Sequence, residues 1–137
     1  MRNLEVIRKF PNDFIFGTAT SSYQIEGQKY GNCGLSNWDS FSKKSGKTFN
    51  GDDGSEACAH ILHFRKDLDL IRECGFKAYR FSFSWPRLLP SGKGKINSEG
   101  LSFYDKLIDG ILEKNILPFA TLYHWDLPKV FDDNGGW

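Results

Sequence analysis

The feature that most constrains the fold of this chain is the order in which two kinds of apolar pattern follow one another. Residues 14–20 form a short β-prone run, and residues 78–85 alternate strictly between aromatic side chains and small or polar ones. A third run, residues 117–125, is again rich in strand-forming residues. Helical spacing of apolar residues separates these runs, over residues 57–71 and again from about Ser98. Because strands and helices alternate, the chain is predicted to be an α/β protein with a parallel sheet.

Turn and capping residues set the predicted limits of these elements. Ser55 is predicted to cap the first helix, Gly75 to end it in a left-handed conformation, and Asn115 to end the second helix. Residues 27–54 and 86–94 have the composition of loops. The second and third strands begin about 39 residues apart, which is typical of one β/α unit. These patterns fit both a small doubly wound sheet and an open piece of an eight-stranded barrel.

Charge and hydropathy bear on location and on macromolecular partners. The formal net charge is +1 and no basic block occurs, which argues against a nucleic-acid partner. No apolar run approaches the roughly 20 residues that span a bilayer. Residues 1–11 interleave charges with a few apolar side chains, unlike a signal peptide, and the three cysteines lack the spacing of a disulfide framework. These features predict a reduced, cytoplasmic protein without a membrane partner.

One segment contains possible metal ligands at short spacing, namely Cys58, His60 and His63. On a helix, positions 58 and 60 point to nearly opposite sides, and only the two histidines share a face. Because a zinc site needs three or four convergent ligands, no metal is predicted. No glycine-rich phosphate loop follows any predicted strand, so no other cofactor is predicted either.

Polar side chains cluster where the predicted strands end, which is where parallel α/β folds bind ligands. Taken singly, each has an ordinary structural explanation, such as an ion pair or a loop hydrogen bond. Taken together, and beside three tryptophans, they favour a carbohydrate, since indole faces stack on sugar rings and polar groups bind hydroxyls. The residues are Gln24 and Glu26, then Arg80, Ser82 and Ser84, then His124 and Asp126, with Trp38, Trp85 and Trp125 nearby.

Four stretches of the chain are specific enough to indicate a family. In order, they are Phe14-Ile-Phe-Gly-Thr-Ala-Thr-Ser-Ser-Tyr-Gln-Ile-Glu-Gly27, Ala78-Tyr-Arg-Phe-Ser-Phe-Ser-Trp-Pro-Arg-Leu-Leu-Pro90, Gly100-Leu-Ser-Phe-Tyr-Asp105 and Thr121-Leu-Tyr-His-Trp-Asp-Leu-Pro128. Together with the closing Gly135-Gly-Trp137, they resemble glycoside hydrolase family 1, the β-glucosidase family.

The resemblance implies a (β/α)8 TIM barrel that cleaves small β-linked glycosides with retention. By the same resemblance, Gln24 and His124 hydrogen-bond the hydroxyls of the glycone, and Trp125 forms a wall of that subsite. Arg80 resembles the arginine beside the nucleophilic carboxylate, whose charge lowers the pKa of that group. The resemblance assigns no catalytic role to Glu26 or Asp126, which are therefore interpreted as structural.

The chain also departs from the family pattern. Where the family usually reads Ala-Cys-Asp-His-Tyr, this chain has Ala59 in place of the aspartate, and His63 replaces an arginine that often follows. The missing aspartate bears on hydrogen bonding at the start of a helix and not on the sugar-binding residues. The pair Tyr23-Gln24 resembles the enzymes that act on unphosphorylated glycosides.

The larger departure is what the sequence lacks. Retaining hydrolysis needs two carboxylates about 5 Å apart, and the family's first one lies in an Asn-Glu-Pro motif that does not occur in this chain. Eight units of this length need more than about 300 residues. Residues 1–137 are therefore predicted to be the N-terminal third of an incomplete catalytic domain, about three β/α units, inactive alone and partnered by the missing remainder of the barrel. The alternatives are an inactive sugar-binding module or a truncated non-functional product; no motif favours another kind of α/β enzyme.

Overall fold

The structure is a computed structural model that describes residues 10–136. Residues 1–9, on which the comparison with a signal peptide partly rests, and Trp137, which closes the last motif, lie outside the described residues. In chain order, the elements are β1 (Gly17–Ala19), α1 (Ser22–Ile25), α2 (Asn37–Ser42), a 3-10 turn (Phe49–Gly51), α3 (His60–Glu73), β2 (Ala78–Ser82), α4 (Trp85–Leu88), α5 (Ser98–Glu113), β3 (Leu117–Thr121) and α6 (Lys129–Asp132).

Within residues 10–136, the strands form one parallel sheet in the order β1-β2-β3. Ala78 of β2 pairs with Gly17 on one side and with Leu117 on the other, so the three strands begin level with one another. Their carboxyl ends therefore lie at one edge of the sheet, as the alternation of strands and helices predicts. The predicted parallel α/β architecture is confirmed.

The alternation in β2 separates a covered face of the sheet from an uncovered one. Tyr79 and Phe81 are 1% and 3% exposed and pack against α3 and α5. On the opposite face, Arg80 pairs in register with Phe119, and both side chains are exposed. The core consists of Leu68, Tyr79, Phe81, Phe103, Tyr104, Leu107, Ile111 and Ile116. The exposed side chains of Arg80 and Phe119 leave the middle of this face open, unlike in a doubly wound sheet, where helices lie on both faces.

The start of α3 differs from the prediction. The helix begins at His60, with Ala59 before it, and not at a cap formed by Ser55. Ala57 and Ala59 have φ angles of +49° and +50°, which are left-handed and interrupt any helix through these positions. Ala57 is consequently exposed and does not belong to the helical face that packs on the core. The predicted end is correct, because Gly75 follows α3 with φ +80°.

Other boundaries are shorter or more regular than the sequence predicts. The alternating run ends at Ser82, because Ser84 caps α4 by accepting a hydrogen bond from the backbone N–H of Arg87. The segment predicted as a long loop contains α2, whose start is held by a capping box between Ser36 and Asp39. The helical spacing of α5 places Leu101 on its inward face, yet Leu101 is 45% exposed.

The remaining observations concern α5 and membranes. The start of α5 at Ser98 agrees with the prediction, and its C-terminal end is followed by Asn115 with φ +56°. In the part of the chain that the structure describes, no helix is long and apolar enough to cross a bilayer.

Candidate functional site

Two predicted sugar-binding residues lie in the turn that follows β3. The imidazole of His124 stacks on the indole of Trp125, with ring centroids 5.4 Å apart and an angle of 23° between the planes. His124 is half-buried, whereas Trp125 is 66% exposed. Trp125 has a φ of +74°, an uncommon conformation for a bulky residue that persists only where the surrounding structure imposes it. The turn therefore presents a flat aromatic surface beside a polar ring.

Gln24 lies beyond the end of β1, in the single-turn helix α1, and its side chain is exposed. The segment that carries Gln24 is attached to the ends of the other two strands through Ser22. The Ser22 hydroxyl donates to Asp126 Oδ2 at 2.8 Å, and the Ser22 backbone N–H donates to Ser82 Oγ at 2.8 Å. The Ser82 hydroxyl donates in turn to Ser22 Oγ at 3.1 Å. These buried contacts join all three strand ends.

A second cluster of buried side chains lies beside Ser22, Ser82 and Asp126, and it contains an ion pair. Arg87 Nε donates to Glu26 Oε2 at 2.7 Å, and the Tyr104 hydroxyl donates to Glu26 Oε1 at 2.8 Å. The remaining nitrogens of the Arg87 guanidinium donate to the carbonyl oxygens of Tyr30 and Gly27. Burial raises the pKa of Glu26, and the guanidinium and the phenol offset part of that rise. Glu26 thus connects the strand-end segment to α4 and α5.

No pattern in the sequence indicated the roles of Arg87, Tyr104 and Ser22. Arg87 is 1% exposed although arginine is rarely buried completely. Its partner Glu26 lies 61 residues earlier in the chain, so no local pattern indicates the contact. The available signal was the position of Glu26 shortly after the first predicted strand.

Asp126 is the other buried carboxylate at the strand ends, and it is 1% exposed. Burial raises its pKa, and the hydrogen bond from Ser22 opposes that rise. Its Oδ1 atom has no hydrogen-bond partner among residues 10–136. A cavity of about 10 Å³, lined also by Glu26, Cys33 and Arg87, borders this carboxylate. That volume is about the space of one water molecule.

Arg80 lies apart from these buried groups. It projects from the middle of β2 on the uncovered face, is exposed, and forms no ion pair with the residues that the structure describes.

The candidate metal ligands do not converge. His60 is 3% exposed, and its Nδ1 lies 2.6 Å from Asp67 Oδ2, while Cys58 and His63 are exposed. Among residues 10–136, no group of three or more His, Cys, Asp or Glu side chains is placed to hold a metal ion.

Parallel strands followed by helices, with polar and aromatic side chains at the strand ends, are the architecture of part of a β/α barrel. The sequence model described as glycosyl hydrolase family 1 matches residues 6–137, and the chain belongs to that family. The predicted family is confirmed. The chain is 52% identical to 1,4-β-D-glucan glucohydrolase from Thermotoga neapolitana over 132 residues, and 52% identical to an aryl-phospho-β-D-glucosidase from Bacillus subtilis over 129 residues.

A solved structure gives the same result for the fold. The β-glucosidase from Thermotoga maritima in complex with cyclophellitol superposes with a TM-score of 0.90 at 50% sequence identity. The match covers 96% of this chain and 30% of that one. The alignment with the Thermotoga neapolitana relative likewise covers 96% of this chain and 31% of the relative. The predicted fold, part of a TIM barrel, is confirmed, and the chain corresponds to the N-terminal part of these β-glucosidases.

Proposed function

We propose that this chain is the glycone-binding, N-terminal third of the catalytic domain of a retaining β-glycosidase. Gln24 and His124 hydrogen-bond hydroxyl groups of the glycone, and Trp125 forms an apolar wall against the sugar ring. The stack of His124 on Trp125 at the end of β3 carries the proposal. It offers, in one turn, the polar and aromatic groups that a β-glycoside needs, on the side of the sheet where barrel enzymes bind ligands.

The chemistry assigns a separate role to Arg80. In a retaining mechanism, one carboxylate attacks the anomeric carbon and must be ionised before it does so. A guanidinium within a few ångströms favours the ionised form. Arg80 is exposed on the face that becomes the barrel interior when the sheet closes, and it supports a nucleophile contributed by the remainder of the barrel.

The 137-residue chain alone does not hydrolyse glycosides under this proposal. Glu26 and Asp126 are 4% and 1% exposed and are engaged with Arg87 and Ser22, so neither carboxylate reaches a substrate. The acid/base and the nucleophile come from the other two-thirds of the barrel, which is the partner that this chain requires. We place the chain in the cytoplasm because the spacing of its three cysteines is not that of a disulfide framework.

The test compares residues 1–137 with the product of the gene's whole reading frame, using 4-nitrophenyl β-glucoside and its 6-phosphate as substrates. We expect hydrolysis only by the longer product. In that product, Gln24→Ala and His124→Ala should each lower kcat/KM about ten- to a hundredfold, because each removes a hydrogen bond to the glycone worth about 1–3 kcal/mol.

His63→Ala is the matched control, because His63 is exposed on α3 and lies outside the site. It should leave kcat/KM unchanged. Preference for the unphosphorylated substrate is expected from the pair Tyr23-Gln24. Hydrolysis by residues 1–137 alone, or full activity in both site variants, would refute the proposal.

The alternative is a sugar-binding chain without catalysis, and it depends on the same three side chains. Titration of residues 1–137 with glucose, followed by tryptophan fluorescence, separates the two functions. A saturable change in the chain alone, with no hydrolysis by the longer product, favours the alternative.

A further inference from the structure

We infer that Asp126 is a positioning residue: through Ser22, it fixes the segment that carries Gln24 relative to His124 and Trp125. The geometric part of this inference stands on the contacts described above. Its consequence for sugar binding rests on the proposed function.

The inference begins with where the partners of Asp126 lie along the chain. Ser22 is two residues before Gln24, and Asp126 directly follows Trp125. The hydrogen bond between Ser22 Oγ and Asp126 Oδ2 joins residues 104 positions apart and is buried. This one contact therefore connects the two segments that carry the residues proposed to bind the glycone.

The direction of each hydrogen bond explains why a hydrogen-bond acceptor is needed at position 126. The Ser82 hydroxyl accepts from the backbone N–H of Ser22 and donates to Ser22 Oγ. The single proton of the Ser22 hydroxyl is therefore left for Asp126, which must act as an acceptor. Ser22 is only 4% exposed. An apolar side chain at position 126 would therefore leave its buried hydroxyl without an acceptor.

The backbone of Trp125 supplies an independent reason for an anchor at this position. Its φ of +74° is unfavourable for a bulky residue and must be held by neighbouring contacts. One such contact is the hydrogen bond between Asp126 and Ser22. A second is the hydrogen bond from the backbone N–H of Asn37 to the carbonyl oxygen of Leu127, at 2.8 Å. Trp125 itself is largely exposed and cannot be held by its own burial. Loss of the Asp126 contact should therefore release the stack on His124.

The pairing of Asp126 distinguishes it from Glu26. Glu26 faces the Arg87 guanidinium, whereas Asp126 forms no ion pair with residues 10–136. A buried carboxylate without a cation lowers stability relative to a well-packed neutral side chain. A position that serves packing alone would be better filled by an apolar residue.

The experiment is proton NMR of the product of the gene's whole reading frame, in which His124→Gln, His60→Gln and His63→Gln identify the imidazole C–H signals of the three histidines of residues 1–137. In the unsubstituted chain, the His124 signal should be shifted upfield by the ring current of Trp125. Asp126→Ala and Ser22→Ala should abolish that shift and leave the His60 and His63 signals in place. Asp126→Asn, whose amide oxygen still accepts from Ser22, should restore it.

Asp67→Ala is the matched control for loss of a carboxylate that holds a buried side chain. Asp67 Oδ2 lies 2.6 Å from Nδ1 of the buried His60 on α3. The substitution should move the His60 signal and leave the His124 signal unchanged. An unmoved His124 signal in folded Asp126→Ala overturns the inference, and Ser22→Ala decides in its place if Asp126→Ala does not fold by circular dichroism. Failure of both to fold also overturns it, because the contact would then serve folding and not positioning.

No sugar takes part in this measurement, so its outcome is separate from that of the proposed function. In the full-length product, Asp126→Ala should raise KM for a β-glucoside. Its effect should not add to that of Gln24→Ala, because Asp126 acts on the sugar by positioning the Gln24 side chain. A changed His124 signal with unchanged KM would leave the positioning intact and refute the glycone-binding role.

Discussion

Buried carboxylates at the strand ends are stabilised in two different ways. Glu26 has a guanidinium and a phenol as partners, while Asp126 has a serine hydroxyl. Burying a charge is costly unless it is paired or hydrogen-bonded, so the partners determine how far each position tolerates change. Both carboxylates act by holding the surrounding segments and not by contacting solvent.

Arg87→Met tests this at the Glu26 pair. Removing one partner leaves an uncompensated charge in the interior, so we expect the free energy of unfolding to fall by about 3–5 kcal/mol. Urea denaturation followed by circular dichroism measures the change. The double substitution Glu26→Gln with Arg87→Met should recover part of the loss, because no buried charge remains.

Glu56→Gln is the control for this prediction. It removes an ion pair with Lys29 at the surface, where both side chains are exposed, and should leave the urea midpoint unchanged. A shift of the Arg87→Met midpoint no larger than that of the control would contradict the prediction.

At the scale of elements, α3 shows how tertiary contacts replace a missing local signal. In the described part of the chain, no side chain caps its first turn, where Ala59 occupies the position of the family's aspartate. The start of the helix is instead held by the backbone of Ile61, whose N–H donates to the carbonyl of Glu26 at 3.4 Å, and by the contact between His60 and Asp67.

His60 makes the stability of this element dependent on pH. Burial lowers its pKa, and the hydrogen bond and charge of Asp67 oppose that change; the Phe103 ring packs on it from α5, and Glu26 and Tyr79 border the same interior space. Because the folded pKa lies below the unfolded value of about 6.5, the unfolded chain takes up the proton first as pH falls. The contribution of His60 is therefore present above about pH 6.5 and is lost as pH falls through the folded pKa.

We expect the thermal midpoint to decrease as the pH is lowered from 7 to 5. His60→Gln should reduce the slope of the thermal midpoint against pH. The raised pKa values of Glu26 and Asp126 act in the opposite direction, because their contributions are present at low pH and are lost as pH rises. The difference between variants isolates His60, and His63→Gln, at an exposed position, should keep the original slope. An identical slope in all three proteins would contradict this assignment.

At the scale of the whole molecule, the sheet has one covered face and one uncovered face within residues 10–136. Leu117 and Phe119 are 49% and 50% exposed on the uncovered side of β3. The outer edges of β1 and β3 carry no further strand in the described part of the chain. Exposed apolar faces and open edges favour association with other strands, which agrees with the proposed need for the remainder of the barrel.

The chain of residues 1–137 should therefore self-associate. Sedimentation velocity over a range of concentrations measures this, and Phe119→Ser should shift the distribution toward monomer. Leu62→Ser is the matched control, because Leu62 is 57% exposed on α3, away from the sheet face, and should change association less. A monomer at all concentrations with a sharp cooperative melt would show that the exposed face needs no partner.

The sequence by itself determined the order of strands and helices, the start of α5 at Ser98 and the left-handed residue Gly75, because these depend on local spacing and conformation. It also placed Gln24, His124 and Trp125 near strand ends. Only the tertiary structure decided where α3 begins, and only it joined Ser22 to Asp126 and Arg87 to Glu26. These partners lie 104 and 61 residues apart, and their meeting depends on strand register and helix packing, which no local pattern contains.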